Sequence, residues 1–338
     1  MTLYILMAVI AFGLLVIIHE FGHFIMAKAN GVMVESFSVG MGPKLFGIKG
    51  KETEYALRLF PIGGFVKMLG DEGKSNDERA FNNKTPGRKL SIVAAGPIMN
   101  FLLAIILFGI VTSFRGYIVP VIDEVVSNKP AAVAGLHKGD KILKVNNKKV
   151  ATWDDFSIKM STSDGKPVLI TYLRNNEYKS TTITPSFDKK ENRYIIGVSP
   201  IVIQNPTFLQ SLYSGFQQTI FYLKQTFMFW GTLFTGHVSM NDFGGPISIL
   251  KVSVAAAKAG IITLTFLSAY ISIQLAIFNI LPFPALDGGY IFLFLFEIIS
   301  GKKVSDDKIG IINSIGFALL LTLMVLVAIK DILYPIKF

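Results

Sequence analysis

Four stretches of the chain carry almost only apolar side chains for about the 20 residues that a helix needs to cross a bilayer. They cover roughly residues 3–27, 90–114, 260–281 and 309–329. Leu3 to Ile18 contains no charged residue at all. Between the second and third stretches the pattern changes. Within 117–200, short runs such as Lys141–Val145 and Val168–Leu173 alternate apolar and polar positions, separated by Gly139-Asp140, Asn146-Asn147 and Asp164-Gly165. Alternation with turn pairs between runs predicts a small β-rich domain of about 80 residues. Residues 208–234 are aromatic, with a lone Lys224, and are read as an amphipathic helix on the membrane surface. A fifth span there would carry the polar cluster near 279–287 to the wrong side of the bilayer.

The expected organisation is a polytopic α-helical membrane protein of about four spans with an inserted extracytoplasmic domain. Residues 1–114 hold the first two spans and their connecting loop, and 115–200 the β-rich domain. Residues 201–259 form an interfacial region, and 260–338 hold the last two spans. Composition agrees: of 338 residues, 51% are hydrophobic and 17% charged, with a mean hydropathy of +0.51. That is too apolar for an ordinary soluble enzyme.

The net charge of +10 comes with no basic block or groove-reading motif, so nucleic acid is not an expected partner. Lys and Arg serve topology and anionic lipid headgroups instead. Lys28, Arg58, Lys67, Arg88 and Lys89 put the 30–89 loop in the cytoplasm. Both termini and 115–259 then lie outside, while the 282–308 loop, with Lys302, Lys303 and Lys308, returns to the cytoplasm. The first stretch is not read as a signal peptide, because nothing positive precedes it and it is too long.

With no cysteine, disulfides are excluded and a metal must be held by His and carboxylates. His19-Glu20-Phe21-Gly22-His23 lies in the first apolar stretch. In a helix His19 and His23 stack one turn apart on one face, where two imidazoles can grip one Zn²⁺ with Glu20 as adjoining general base. Ionisable groups inside a span are costly and mark function. Catalytic zinc takes a third protein ligand. Ala29 stands where a third His of the longer motif would be; His137 falls in the β-rich domain and His237 in a loop. A carboxylate is needed, and Asp287 is the best candidate. It follows Asn279 to Leu286, where Pro282 and Pro284 break the helix at membrane depth. Glu35, Glu52, Glu54 and Glu297 compete for the role.

In the β-rich region, Pro130–Leu136 followed by Lys138–Leu143 resembles the PDZ signature of bacterial proteases, and such domains offer a sheet edge to peptide tails. Gly197-Val198 is a candidate for its groove. The His19–His23 motif, the 279–289 segment and the PDZ-like insert together resemble the site-2 protease family of intramembrane zinc metalloproteases. The bacterial regulated-intramembrane-proteolysis group is the nearest within it. Gly64-Phe65-Val66-Lys67-Met68 matches that group's membrane-associated β-hairpin. Ala95–Phe101 matches its second-span motif, and Gly244–Ser248 its segment before the third span. One PDZ-like domain is found where some members carry two.

The resemblance implies that His19, His23 and Asp287 hold Zn²⁺ and that Glu20 moves the proton. It further implies that Asn279 bonds the substrate backbone and that residues 64–68 pair with an unwound transmembrane substrate. The location implied is a bacterial cell membrane, with the active site toward the cytoplasm. A cation transporter would have no use for a base beside the ligands or for an outer peptide-binding domain. A non-catalytic adaptor would have no use for Glu20.

Overall fold

The computed structural model describes residues 1–334 apart from 72, 74, 190–191 and 234–243, with only the backbone of 61–62 and 306–307. His237 lies outside the described residues. The chain divides into two units, residues 1–108 with 222–338, and residues 109–221.

In the first unit, α1 (Thr2–Ala29) enters a bent hairpin of β1 (Val34–Lys49) and β2 (Glu54–Met68). α2 (Pro86–Arg115) follows and runs on into the second unit. After that unit come α6 (Pro246–Ala259), α7 (Ile261–Ile280), α8 (Asp287–Ser300) and α9 (Asp306–Leu333).

Among the described residues, four helices are long and apolar enough to cross a membrane: Thr2–Ala29, Pro86–Arg115, Ile261–Ile280 and Lys308–Leu333. They coincide with the four stretches expected from sequence. α9 turns Ile311, Ile315, Leu319, Leu323 and Leu326 outward, as a helix bathed in lipid can and one in water cannot. α8 was read as part of a loop. Its 14 residues make about 21 Å of helix, short of a hydrocarbon core of about 30 Å, which is why a span-length search passes over it.

The β1–β2 hairpin folds back on itself. Residues 34–39 pair on one side with 64–68 and on the other with 54–57, so 64–68 is an outer strand. Its base is packed by Val34, Val66 and Met68 against Ala27 of α1, Ile92 and Val93 of α2, and Phe294 of α8. Towards its tip Leu45, Phe46, Ile48, Leu57 and Phe60 are exposed. A second cluster joins Ala104 and Phe108 of α2 to Ala269, Ile273 and Ile277 of α7.

The second unit is β-rich. Its strands are β3 (Tyr117–Val125), β4 (Lys141–Val145), β5 (Lys148–Lys149), β6 (Val168–Arg174) and β7 (Glu177–Ile183), then β8 (Ser186–Asp188), β9 (Arg193–Ile195) and β10 (Val198–Ile203). Two short helices, α3 (Pro130–Val133) and α4 (Trp153–Ser161), intervene. The main sheet runs β10-β3-β4-β6-β7, with β5 on β4 and β8–β9 separate. Ile122, Leu136, Ile142, Phe156, Ile170 and Ile183 belong to one buried core, so this unit folds on the alternation that its sequence shows. Gly197-Val198 opens β10 and pairs with the end of β3, its backbone already engaged. α5 (Phe208–Leu233) begins here and is one continuous helix.

Candidate metal centre

His19 and His23 fall one turn apart on α1, both buried, with ring centroids 4.8 Å apart. They can sit there because α2 comes very close. At Gly22 a Cβ would lie 2.7 Å from Met99 Cγ, and at Gly96 it would lie 2.6 Å from His23 Cε1 and 2.8 Å from His19 Cε1. Neither position has room for a side chain. His23 Nδ1–H donates to the Ile92 carbonyl at 2.9 Å, which fixes the tautomer and leaves Nε2 facing the cluster. His19 Nδ1 meets the amide of Asn100 at 3.3 Å.

Asp287 arrives from the other end of the sequence. Pro282 and Pro284 end the helical path after α7, and the chain turns through Ala285 at φ 69° before α8 begins at Asp287. A non-glycine residue in that region is strained, and the turn is held from α9. Asn313 Oδ1 accepts the Ala285 N–H at 3.1 Å, and Asn313 Nδ2 donates to Tyr290 Oη at 2.7 Å.

Asp287 Oδ2 lies 3.0 Å from His19 Nε2 and 3.4 Å from His23 Nε2, and the two nitrogens are 3.2 Å apart. Tetrahedral ligands at zinc bond lengths sit roughly 3.3–3.6 Å from one another. The observed triangle is near that size. Among the described residues, Oδ2 is also buried without a hydrogen bond of acceptable geometry, an arrangement that suits a cation between the three atoms. The donor set therefore fits zinc.

Glu20 is half-buried on the same turn of α1. The outer strand 64–68 runs beside it: a Cβ at Gly64 would lie 3.6 Å from Glu20 Cγ. Asn279 lies on the last turn of α7, half-buried and without a side-chain hydrogen bond among the described residues. The competing carboxylates are engaged elsewhere. Glu35 faces Lys67 at 3.7 Å, Glu52 holds Lys28 at 2.9 Å, Glu54 holds Lys44, and Glu297 accepts the Val304 N–H at 3.0 Å. His137 is exposed in the other unit.

The family model for peptidase family M50 matches residues 7–323. The chain belongs to peptidase family M50, the site-2 protease family. It is thereby a zinc metalloprotease. A Clostridium acetobutylicum protein named as a zinc metalloprotease is 51% identical, covering 99% of this chain and 98% of that one. The Geobacillus kaustophilus zinc metalloprotease RasP is 29% identical, covering 96% of each. An Enterococcus faecalis protein named as the protease Eep is 34% identical over 96% of this chain and 97% of its own. A solved PDZ domain of an SdrC-like protein from Listeria monocytogenes is 23% identical over 26% of this chain and 90% of its own, with a TM-score of 0.22.

Within this M50 chain, sequence reasoning left two supports of the cluster without a role. Asn100 and Asn313 are each a lone amide in an apolar helix, a costly placement that was the available signal. What could not be seen was which side chain each would meet.

Proposed function

We propose that this chain is an intramembrane endopeptidase that cleaves single-span membrane proteins within or near the bilayer. His19, His23 and Asp287 would hold its zinc, and Glu20 would serve as base. The observation that carries the reading is the meeting of three donor atoms within 3.4 Å of one another, beside a carboxylate, in a helix that is apolar for most of its length. Zinc, when bound, supplies Lewis acidity for water activation and carbonyl polarisation. Glu20 takes the proton of the attacking water and passes it to the leaving nitrogen as the C–N bond breaks. His19, His23 and Asp287 contribute orientation and charge.

A peptide bond in a helix has its N–H and C=O engaged, so a transmembrane substrate must be drawn out into an extended form. Residues Gly64, Phe65, Val66, Lys67 and Met68 supply the strand for this: their inner side pairs with β1, and no strand pairs with the outer side among the described residues. Gly64, whose Cβ position lies 3.6 Å from Glu20 Cγ, brings that strand to the base itself. Asn279 offers the next amide for the substrate backbone. The β-rich unit would act as a PDZ-like binder of peptide tails outside the membrane. The active site would face the cytoplasm of a bacterial cell and both termini the exterior, as the loop charges indicate. By family analogy the substrates are anti-sigma factors or signal-peptide remnants.

Purified protein in detergent, given zinc and a transmembrane peptide, should cut it, and the Glu20→Gln variant should keep its zinc and lose the cleavage. Undiminished turnover in that variant would overturn the role of Glu20.

A further inference from the structure

α2 grips both imidazoles of the cluster from behind, and it does so in two chemically different ways. His23 is settled: a backbone carbonyl can only accept, so Nδ1 must carry the proton and Nε2 the lone pair. His19 is met by a carboxamide, which can do either. Asn100 is fully buried, its backbone carbonyl takes the hydroxyl of Ser272 at 2.9 Å, and its side-chain nitrogen stands 3.3 Å from His19 Nδ1. In that orientation the amide donates, so Nδ1 is the lone-pair nitrogen and Nε2 bears the proton. Asn100 Oδ1 is then left buried without a partner among the described residues. A protonated Nε2 cannot be a metal ligand. Half a turn of the amide reverses every one of these assignments: Oδ1 faces Nδ1–H and Nε2 is freed. The two ends of a carboxamide have the same shape, so the turn needs no new space.

We infer that Asn100 is a positioning residue of the metal centre, its amide oxygen taking the Nδ1–H of His19 and so fixing the tautomer that presents Nε2 to zinc. The inference rests on the ligand set proposed above. α2 then orients both histidines, Ile92 through its backbone and Asn100 through its side chain, and the Ser272 hydroxyl ties Asn100 to α7. The orphaned Oδ1 is the side of the amide reserved for the metal-loaded state.

The test uses the full chain in detergent, with zinc affinity measured by competition with a chromophoric chelator. Asn100→Leu keeps the bulk and removes the acceptor, and zinc should bind about 10- to 100-fold more weakly. Asn100→Asp supplies an acceptor of the same size and should bring affinity back to within a few-fold of wild type. Thermal unfolding of the metal-free proteins separates loss of affinity from loss of fold. With only four histidines in the chain, ¹⁵N-labelled imidazoles give a direct second readout. In zinc-loaded wild type the His19 Nδ1 signal should be of the protonated kind. An unprotonated Nδ1, or Leu and Asp variants that bind zinc equally well, would overturn the role of Asn100. Wild type whose zinc affinity is unchanged by Asp287→Asn would instead overturn the ligand set, a separate failure.

Discussion

Asp140 in the β-rich unit and Asp287 in the helical unit are both acids held against nitrogen-bearing neighbours, and they differ in what is left over. Asp140 is fully buried and fully used. Arg174 Nε and Nη2 each reach it at 2.7 Å, and the His137 N–H donates to it at 2.9 Å. Arg174 Nη2 also donates to the Gly135 carbonyl at 2.7 Å, so the group fastens the 134–140 loop to the sheet. Asp287 Oδ2 sits between two ring nitrogens and is satisfied by neither. A closed set of hydrogen bonds stabilises a fold, whereas converging ligand atoms that do not satisfy one another leave a place for a cation. Two acids that look alike in sequence, each followed or preceded by glycine, are told apart by that remainder.

The sharpest break in this comparison is at the helical unit. Asp287→Asn should cut zinc affinity by at least about tenfold and abolish cleavage of a transmembrane peptide, with the β-rich unit still folded. Metal analysis beside the cleavage assay checks it. Glu20→Gln should retain stoichiometric zinc while turnover falls by about 10²–10⁴-fold.

Next in size is the converse change. Arg174→Ala leaves Asp140 buried and unpaired, which costs on the order of 3 kcal/mol, and hydrogen exchange should show this loosening within 109–221 alone. Zinc affinity should not move. A pH series refines it. Burial of the Asp140 carboxyl opposes its ionisation, but Arg174 and the His137 N–H outweigh that and hold its pKa below the usual carboxylate value. The pair's stabilisation is therefore complete above the unfolded value of about 3.9 and is lost as pH falls through the lower folded one. Wild type should lose stability in that acid window, and Arg174→Ala should show less of this dependence.

A smaller effect is expected at the hairpin. Val66→Pro removes a backbone N–H from the strand that runs beside Glu20, so cleavage should drop with zinc retained. Val66→Ala keeps the N–H and should cost far less. Equal activity of the two variants would remove strand pairing from the account.

Much of this was legible in the sequence because the membrane simplifies the problem. Apolar runs of span length can only be helices there, and His19, Glu20 and His23 are conspicuous inside one. The β-rich unit was legible for the opposite reason: its alternation is that of a domain with a core and a wet face. The meeting of Asp287 with α1 was expected from the missing third ligand, the helix break at Pro282 and Pro284, and the family resemblance, since nothing local joins residues so far apart in the chain. α8 was missed because its apolar run, Tyr290 to Phe296, is too short to span and is followed by Glu297. Asn100 and Asn313 were visible as lone amides in apolar helices, but the partners that give them meaning, His19 Nδ1 and the Ala285 N–H, exist only once the helices have packed.

Zinc K-edge X-ray absorption on the purified full chain, wild type and Asp287→Asn, tests the central claim most directly. The ligand set described here predicts two imidazole nitrogens with carboxylate and solvent oxygen in the wild-type shell, and a changed or vacated shell in the variant. A wild-type shell with more than two imidazoles, or an identical spectrum after Asp287→Asn, would contradict it.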